Sequence, residues 1–237
     1  MSNTPIVTPL SKLPDFDARR IPVLANDAHL PPVGRDLLTP QSLRGRFAVP
    51  PSWEPEVVRE IRFADRKSAQ AAVLVPLVMR GAYRDEPAVL LTERTEHLST
   101  HSGQIAFPGG RTDDTDADAA ATALREAHEE VGLDSSYVEV IGNLPVYVTG
   151  TSFIITPVVA LVDSGFELRP NPHEVASAFE VPLSFLMNPA NHRRHAFEWE
   201  GVRREWFSMP YQDGEHERFI WGATAGMLRN LYRFLSA

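Results

Sequence analysis

The sequence has no cysteine among its 237 residues. This absence excludes disulfide bonds, zinc sites built from thiolates and a cysteine nucleophile. The sequence also lacks an apolar run that could cross a bilayer, which takes about 20 residues in a helix. Its longest apolar stretches, Ala71–Met79 and Phe153–Val162, are far shorter. The opening residues MSNTPIVTPL have neither the basic nor the apolar region of a secretory signal, so we expect a cytoplasmic protein.

Positive charge is also scarce. The chain has 23 Lys and Arg residues against 31 Asp and Glu residues, which gives a formal net charge of −8. Such a surface repels polyanions, so we expect neither nucleic acid nor a membrane as a partner. A small anionic substrate remains compatible with this charge if a metal ion supplies positive charge locally.

Proline is concentrated near the start of the chain, where ten of the 20 prolines precede residue 56. Because proline fixes φ and removes a hydrogen-bond donor, long regular elements are not expected there. We interpret residues 1–70 as an N-terminal extension that packs on the main domain, with a structural role favoured over a functional one. Thr39-Pro40 predicts the start of a short helix, since proline suits the first helical position. Residues Ser52–Phe63 form a second predicted helix.

The remaining residues, 71–237, predict one main domain with alternating strands and helices. Apolar runs rich in β-branched residues predict the strands Ala71–Met79, Ala88–Thr92, Val138–Leu144, Val146–Thr149, Ile154–Val162, Val175–Val181, Phe197–Trp199 and Arg204–Phe207. The predicted helices are Ala117–Val131, Leu183–Met187 and Thr224–Phe234, and a hairpin turn is predicted at Gly81–Pro87. A central helix and a terminal helix among mixed strands indicate a layered α/β sandwich.

Three glutamates stand out in the predicted central helix. At 100° per residue, Glu126, Glu129 and Glu130 lie within roughly 100° of one another on the helix surface. One interpretation is an ordinary solvated helix face. The other is a metal site, because like charges at these spacings repel and the helix C-terminus disfavours anions. A hard divalent cation would compensate both effects.

A glycine pair precedes this helix. Phe107-Pro108-Gly109-Gly110 leads through an Asp-rich loop into the glutamate segment. Paired glycines let a phosphate or a metal ion approach the main chain closely. A glycine pair alone is weak evidence for a phosphate or metal site. The evidence is stronger here because the glutamate segment follows the pair at this distance.

Residues 110–133 resemble the signature of the Nudix hydrolases, G-x5-E-x7-R-E-U-x-E-E-x-G-U. The matching positions in its second half are Arg125, Glu126, Ala127, Glu129, Glu130, Gly132 and Leu133. The first half departs from the pattern, because Gly110 lies one residue further from Arg125 and Ala117 stands where the pattern has glutamate. The resemblance implies a Nudix-like α/β/α sandwich with a mixed sheet, to which the proline-rich extension is added.

Residues 90–110, which read LLTERTEHLSTHSGQIAFPGG, resemble the extra motif of the coenzyme A pyrophosphatase branch of that family. The sequences TPVV at 156–159 and NPHEV at 171–175 resemble the same branch, and the resemblance covers about residues 70–235. It implies hydrolysis of coenzyme A, or of an acylated or oxidised form, to 3′,5′-ADP and 4′-phosphopantetheine. The implied cofactor is Mg²⁺ or Mn²⁺.

The resemblance also implies roles for individual residues. The expected metal ligands are Glu126, Glu129, Glu130 and the carbonyl group of Gly110. The catalytic base is either Glu129 or Glu174, and Arg125 is expected to hold a glutamate in an ion pair. The candidates for binding substrate phosphates are Arg94, His101, Gln104 and Arg111, with loop stabilisation as the alternative. Four histidines are expected to be exposed and without a role, namely His97, His128, His192 and His195.

Two other functions remain open at this point. One is hydrolysis of a different nucleoside diphosphate derivative, such as ADP-ribose. The other is a non-catalytic, nucleotide-binding regulator with the same fold, which the retained glutamates argue against. Dimers are common among the relatives that the resemblance implies, so a homodimer is a further expectation.

Overall fold

A computed structural model describes residues 8, 10, 13, 16–61, 67–79, 87–95 and 103–237. The strands are β1 (Val23–Asn26), β2 (Ala69–Met79), β3 (Ala88–Arg94), β4 (Ile105–Ala106), β5 (Gly109–Arg111), β6 (Val138–Asn143), β7 (Tyr147–Val148), β8 (Phe153–Asp163), β9 (Val175–Pro182), β10 (Arg193–Trp199), β11 (Val202–Asp213) and β12 (His216–Trp221). The α-helices are α1 (Pro40–Ala48), α2 (Ala119–Val131), α3 (Leu183–Leu186) and α4 (Gly222–Leu235). Every predicted strand is present, whereas the predicted turn at Gly81–Pro87 lies outside the described residues except for Pro87.

The main sheet has eight strands and is mixed, as predicted. Its central path runs β4-β3-β2-β8-β6, while β5, β7 and β9 pair with β2, β8 and β3. Strands β2 and β8 run parallel along their whole length, and the other pairs are antiparallel. The near-continuous apolar sequence of β2 follows from this central position, because both of its faces are covered.

Helices cover the two faces of the main sheet. On one face, α2 buries Ala123, Ala127 and Val131 against a cluster that includes Leu74 from β2. On the other face, α4 contributes to a larger cluster that includes Leu77. The alternation of side chains along β2 divides the core into these two clusters. The result is the expected α/β/α sandwich.

The ends of α2 explain its length. The Asp118 carboxylate accepts a hydrogen bond from the Ala121 N–H at 2.8 Å, so the helix begins after Asp118 rather than at Ala117. At the other end Gly132 adopts the left-handed conformation, with φ of 71°. Glycine adopts this conformation without steric penalty, and the predicted helix end is confirmed.

A second, four-stranded antiparallel sheet has the order β1-β10-β11-β12. The sequence predicted only short parts of β10 and β11, and it missed β1 and β12. Strands β10, β11 and β12 contain several charged residues, so their apolar pattern is weak, and β1 has only four residues, all of them exposed. The N-terminal region supplies β1, whose Val23 pairs with His195 of β10.

The N-terminal region contains one of the two predicted α-helices. Helix α1 begins after Thr39, whose hydroxyl oxygen accepts a hydrogen bond from the Ser42 N–H at 3.3 Å. The prediction of a helix at Ser52–Phe63 is wrong for the described residues 52–61, which contain no helix. Pro55 removes a helical donor and disfavours helical geometry in the residue before it. Residues 58–60 instead hydrogen-bond the backbone of Val148.

A buried group of charged side chains attaches this region to α4. Arg229 is 1% exposed, and its guanidinium lies 3.0 Å from the Asp27 carboxylate and 2.7 Å from the Glu56 carboxylate. Arg194 pairs with the same two carboxylates at 2.9 and 2.7 Å. Burial raises the pKa of Asp27, but the arginine hydrogen bond and charges outweigh it, so this pKa lies below its usual value.

The expectation that His192 and His195 are exposed is wrong, because both are buried. Arg229 has only donors, so the Nδ1 atom of His192, 3.1 Å from its Nη1, must accept. The Nε2–H therefore donates to the Leu186 carbonyl at 2.7 Å. Burial lowers the pKa of His192 to about 4, which makes the ring neutral at physiological pH. His192 and His195 have structural roles, because both ring nitrogens of each side chain have hydrogen-bond partners inside the protein.

Within the described part of the chain, none of the helices has the length and apolarity needed to traverse a membrane.

Two helical glycines give a matched test of this packing. An added Cβ at Gly226 of α4 would lie 2.9 Å from the buried Tyr147 ring, whereas at Gly45 of α1 it would meet nothing within 4 Å. We expect Gly226→Ala to destabilise the protein by about 1–3 kcal/mol through overpacking. Gly45→Ala should stabilise it by roughly 0.5–1 kcal/mol, because alanine favours the helix. Urea denaturation followed by circular dichroism measures both changes, and equal effects would contradict the packing described.

Candidate metal and phosphate site

The glycine pair brings the main chain against helix α2. Strand β5 pairs with β2 through Val73 and Gly109 and through Ala72 and Gly110. An added Cβ at Gly109 would lie 2.5 Å from the Ala72 carbonyl oxygen, so no larger residue fits without moving backbone. At Gly110 the added Cβ would lie 2.5 Å from the carboxylate of Glu126. The absence of side chains here lets the Glu126 carboxylate reach the main chain of β5.

Glu130 is the buried member of the three helix glutamates, with 3% of its surface exposed. Its Oε2 atom accepts a hydrogen bond from the Gly109 N–H at 3.3 Å, and its Oε1 atom lies 3.6 Å from Nη1 of Arg94. Burial raises the pKa of Glu130 to about 7, although Arg94 and the Gly109 N–H oppose the rise. The negative charges of Glu126 and Glu174 raise this pKa further.

Glu126 and Glu129 have more contact with solvent. Burial raises the pKa of Glu126 and outweighs the opposing hydrogen bond from Arg125, and the charges of Glu129 and Glu174 add to the rise. The side chain of Glu129 is 53% exposed. The solvated-face interpretation therefore suits Glu129 and does not describe Glu130.

Arg125 lies on the outer side of the cluster that these glutamate carboxylates form. Its Nη1 donates to Glu126 at 2.9 Å and to Glu129 at 3.2 Å, so the expected ion pair with a glutamate is present. Its Nε and Nη2 also donate to both carboxylate oxygens of Asp116, at 3.0 and 2.9 Å. No role was assigned to Asp116 from the sequence, although it stands beside Ala117, where the family pattern has glutamate.

Asp116 is held tightly by this contact. The hydrogen bond from Arg125 keeps the pKa of Asp116 well below its ordinary value. Nη2 of Arg125 further donates to the carbonyl oxygen of Arg111 at 3.1 Å, which connects α2 to β5. Arg125 thus has its position fixed by the helix, the preceding loop and the strand together.

A loop from another part of the chain brings Glu174 to the same group. The Asn171 N–H donates to the Glu130 carbonyl at 2.8 Å, and the Thr95 N–H donates to the Glu174 carbonyl at 3.0 Å. The side-chain amide of Asn171 lies 3.3 Å from Oε1 of Glu174. The negative charge of Glu174 adds to the rise in the pKa of both Glu126 and Glu130, so the three carboxylates interact electrostatically.

Some of the candidate phosphate-binding residues lie near these glutamates. Arg94, at the end of β3, reaches Glu130, and its N–H donates to the carbonyl of Gln104 at 3.0 Å. Gln104 is thereby next to Arg94 in the described structure. The side chain of Arg111 is exposed at the end of β5. His101 lies outside the described residues.

The residues of this site suit a hard divalent cation by charge and by donor type. Four carboxylates pair with the two guanidinium groups of Arg94 and Arg125, so the paired side chains leave a negative excess; they are those of Asp116, Glu126, Glu129 and Glu130. Carboxylate and carbonyl oxygens are the ligands that Mg²⁺ and Mn²⁺ prefer. Among the described residues, no group of three or more His, Asp or Glu side chains stands close enough together to hold a metal ion.

Comparison with known proteins defines the class. A family model of the NUDIX domain matches residues 68–209, which is more than half of the chain. The chain therefore belongs to the Nudix hydrolase family, whose members act on nucleoside diphosphate derivatives and generally use divalent metal ions.

Particular relatives are similar over a longer stretch. The chain is 44% identical over 163 residues to a protein of Enterobacter sp. (strain 638) named "Uncharacterized Nudix hydrolase NudL", covering 68% of this chain and 80% of that protein. The protein of the same name from Escherichia coli (strain K12) gives the same identity and coverage. A crystal structure of a C. elegans Ap4A hydrolase binary complex has a TM-score of 0.41 and 19% identity, covering 52% of this chain and 85% of that one.

The contact between Gly110 and Glu126 can be tested directly. Gly110→Ala introduces a methyl group where the Glu126 carboxylate lies, and this flexible side chain can move while the backbone stays in place. We expect unchanged folding and a loss of metal-dependent hydrolysis of at least about tenfold, since small displacements of positioned groups cost this much. Steady-state kinetics and thermal denaturation measure the two effects. Gly45→Ala, which lies in α1, is the control and should keep normal turnover.

Proposed function

We propose that this Nudix hydrolase cleaves the diphosphate of coenzyme A, or of an acylated or oxidised form, to 3′,5′-ADP and 4′-phosphopantetheine. The observation that carries the proposal is the way the segment 90–110 meets the acidic helix. One end of this segment brings Arg94 to Glu130, and the other end brings the Gly109 N–H to the same carboxylate. The motif that resembles the coenzyme A branch is therefore part of the candidate site.

The described ends of this segment are joined to each other. The Arg94 N–H donates to the Gln104 carbonyl at 3.0 Å, and the Gly103 N–H donates to the Arg94 carbonyl at 3.2 Å. The Thr92 hydroxyl lies 3.3 Å from the carbonyl oxygen of Ala106. These contacts hold the described ends of the segment beside the carboxylates, where their side chains can reach a substrate bound there.

The charges of the substrate support the same proposal. Coenzyme A carries a 3′-phosphate besides its diphosphate, so it needs more positive charge than ADP-ribose does. Arg94 at the carboxylate group and Arg111 at the end of β5 are the cations that we assign to these phosphates. Gln104, next to Arg94, supplies a further hydrogen-bonding side chain.

Glu126, Glu129, Glu130 and the Gly110 carbonyl would hold Mg²⁺ or Mn²⁺ in this proposal. When bound, such an ion supplies positive charge to the diphosphate and lowers the pKa of water. The chain's own contribution is to hold these ligands in place. Arg125 does this for Glu126 and Glu129, because Asp116 fixes its guanidinium.

The base that takes a proton from the attacking water is assigned to Glu174. Its loop is hydrogen-bonded to helix α2 at the Glu130 carbonyl, and the side-chain amide of Asn171 lies 3.3 Å from its Oε1 atom. Glu129 is more exposed and already paired with Arg125. The tertiary contacts therefore favour Glu174 of the two candidates.

This assignment predicts different losses in two matched variants. Glu174→Gln should lower kcat by about 100-fold or more, the usual contribution of a general base, with little change in KM. Glu129→Gln should lower kcat less and should weaken the apparent affinity for the metal. Steady-state kinetics at saturating Mg²⁺ compares them. A larger loss of kcat in Glu129→Gln would reverse the assignment.

The substrate itself is tested by a panel. Coenzyme A, its disulfide, acetyl-CoA and ADP-ribose are compared by kcat/KM with Mg²⁺ and with Mn²⁺. We expect a coenzyme A species to exceed ADP-ribose by at least about tenfold, since an additional charged contact supplies this much discrimination. Faster hydrolysis of ADP-ribose would contradict the proposal.

The panel also needs a control for the site. Glu130→Gln keeps the size of the side chain and removes its charge, so it should abolish most activity on every substrate. An inactive wild-type protein that still binds these nucleotides would indicate the non-catalytic regulator instead.

A further inference from the structure

We propose that Arg94 is an internal counter-ion that competes with the divalent cation for the carboxylate of Glu130. The inference rests on the proposed metal site and adds a role to a residue that we otherwise assign to substrate phosphates. In this role Arg94 is a positioning residue, because it pairs with a proposed metal ligand and acts through it.

The carboxylate of Glu130 is buried in the protein. Its side chain is almost inaccessible, and a buried carboxylate is costly without compensating charge or hydrogen bonds. The Gly109 N–H provides one hydrogen bond at 3.3 Å. Arg94 provides the positive charge, because its guanidinium is the cation that pairs with this carboxylate. Glu130 is therefore a buried carboxylate whose burial is compensated by a nearby cation.

The guanidinium of Arg94 and the carboxylate of Glu130 do not form a hydrogen bond. Nη1 of Arg94 lies 3.6 Å from Oε1 of Glu130, which is longer than a hydrogen bond. The contact supplies charge while leaving the carboxylate oxygen without a tight hydrogen bond from Arg94. Such a pair can be exchanged for another cation at low cost.

Arg125 gives the contrast within the same site. Its guanidinium makes four hydrogen bonds of 3.1 Å or shorter, to Asp116, Glu126 and the Arg111 carbonyl. A group bound at so many points does not move when one carboxylate changes partner. Of the two arginines, Arg125 is fixed and Arg94 is exchangeable.

Metal binding at Glu130 would also change what Arg94 can bind. Once a divalent cation neutralises Glu130, the guanidinium of Arg94 has lost its anionic partner and is available to a phosphate. Metal binding and phosphate binding are then coupled, and by linkage each strengthens the other. This coupling connects the two roles of Arg94.

The test is a titration of the full-length protein with Mn²⁺ after treatment with a chelator, followed by the electron paramagnetic resonance of free Mn²⁺. At pH 8.0, where competition from protons is weak, Arg94→Gln should bind Mn²⁺ about tenfold more tightly than wild type, as loss of a competing charge predicts. Arg111→Gln is the matched control, since it removes an exposed charge near the site. Its effect should be about twofold or less because solvent and salt screen it.

Each outcome decides between specific ideas. Tighter binding in Arg94→Gln alone supports the inference. Unchanged or weaker binding in Arg94→Gln overturns it, as does an equal gain in Arg111→Gln, which would indicate a general charge effect. A wild-type protein with no saturable Mn²⁺ binding would overturn the metal site itself, and with it the proposed function.

A second measurement uses the wild-type protein, so it does not depend on the folding of Arg94→Gln. The Nε–H signal of Arg94 in a nitrogen-15 NMR spectrum is assigned with Arg94→Lys and followed during a Mg²⁺ titration. We expect a saturable shift of this signal and a much smaller shift for Arg125. An unchanged Arg94 signal at saturating Mg²⁺ would overturn the inference.

Discussion

The rest of the site depends on the contact between the buried Glu130 carboxylate and the Gly109 N–H. This contact requires β5 to approach β2 so closely that residue 109 cannot have a side chain. It also requires α2 to pack tightly on the sheet, which Ala123 and Ala127 allow because they are small. The cost of placing a carboxylate here is offset by a backbone N–H and by Arg94. The same contact brings β3, β5 and α2 to one place.

The protein has two clusters of charged side chains, one around Arg229 and one around Glu130, and they have different roles. In the group around Arg229, cations and carboxylates pair closely, and the result joins the N-terminal region to α4. Around Glu130 the carboxylates outnumber the arginines, so their mutual repulsion is only partly relieved. The first arrangement holds the fold together. The second retains an attraction for a cation, which is the property that a metal-dependent hydrolase requires.

The second sheet is connected to the candidate site as well as to the N-terminal region. Arg218 of β12 pairs with Glu93 at 2.7 Å and contacts the Ser177 hydroxyl at 2.9 Å. The Thr224 hydroxyl of α4 donates to the Ile105 carbonyl at 2.9 Å. These contacts support β3 and β4 from the side opposite α2, so the strand that carries Arg94 is packed on both faces.

Much of the main sheet was predictable because its signals are local. The apolar run of β2 and the glycine after α2 depend on neighbouring residues alone. The strand β1 and the buried histidines were not predictable, since their partners are distant in sequence. Val23 pairs with His195, and His192 is held between Arg229 and the Leu186 carbonyl. Short, charged strands and buried polar side chains are stabilised by tertiary contacts that leave no periodic pattern.

The sequence by itself determined that three glutamates share one side of a helix after a glycine pair, because helical geometry alone sets that spacing. It could not distinguish them, since spacing carries no information about burial. The tertiary structure decided that Glu130 is buried, that Glu129 is exposed and that Glu126 lies over Gly110. It also brought Asp116 to Arg125 and Glu174 to the helix. These differences arise because the sheet, the glycine strand and a distant loop surround the helix unequally.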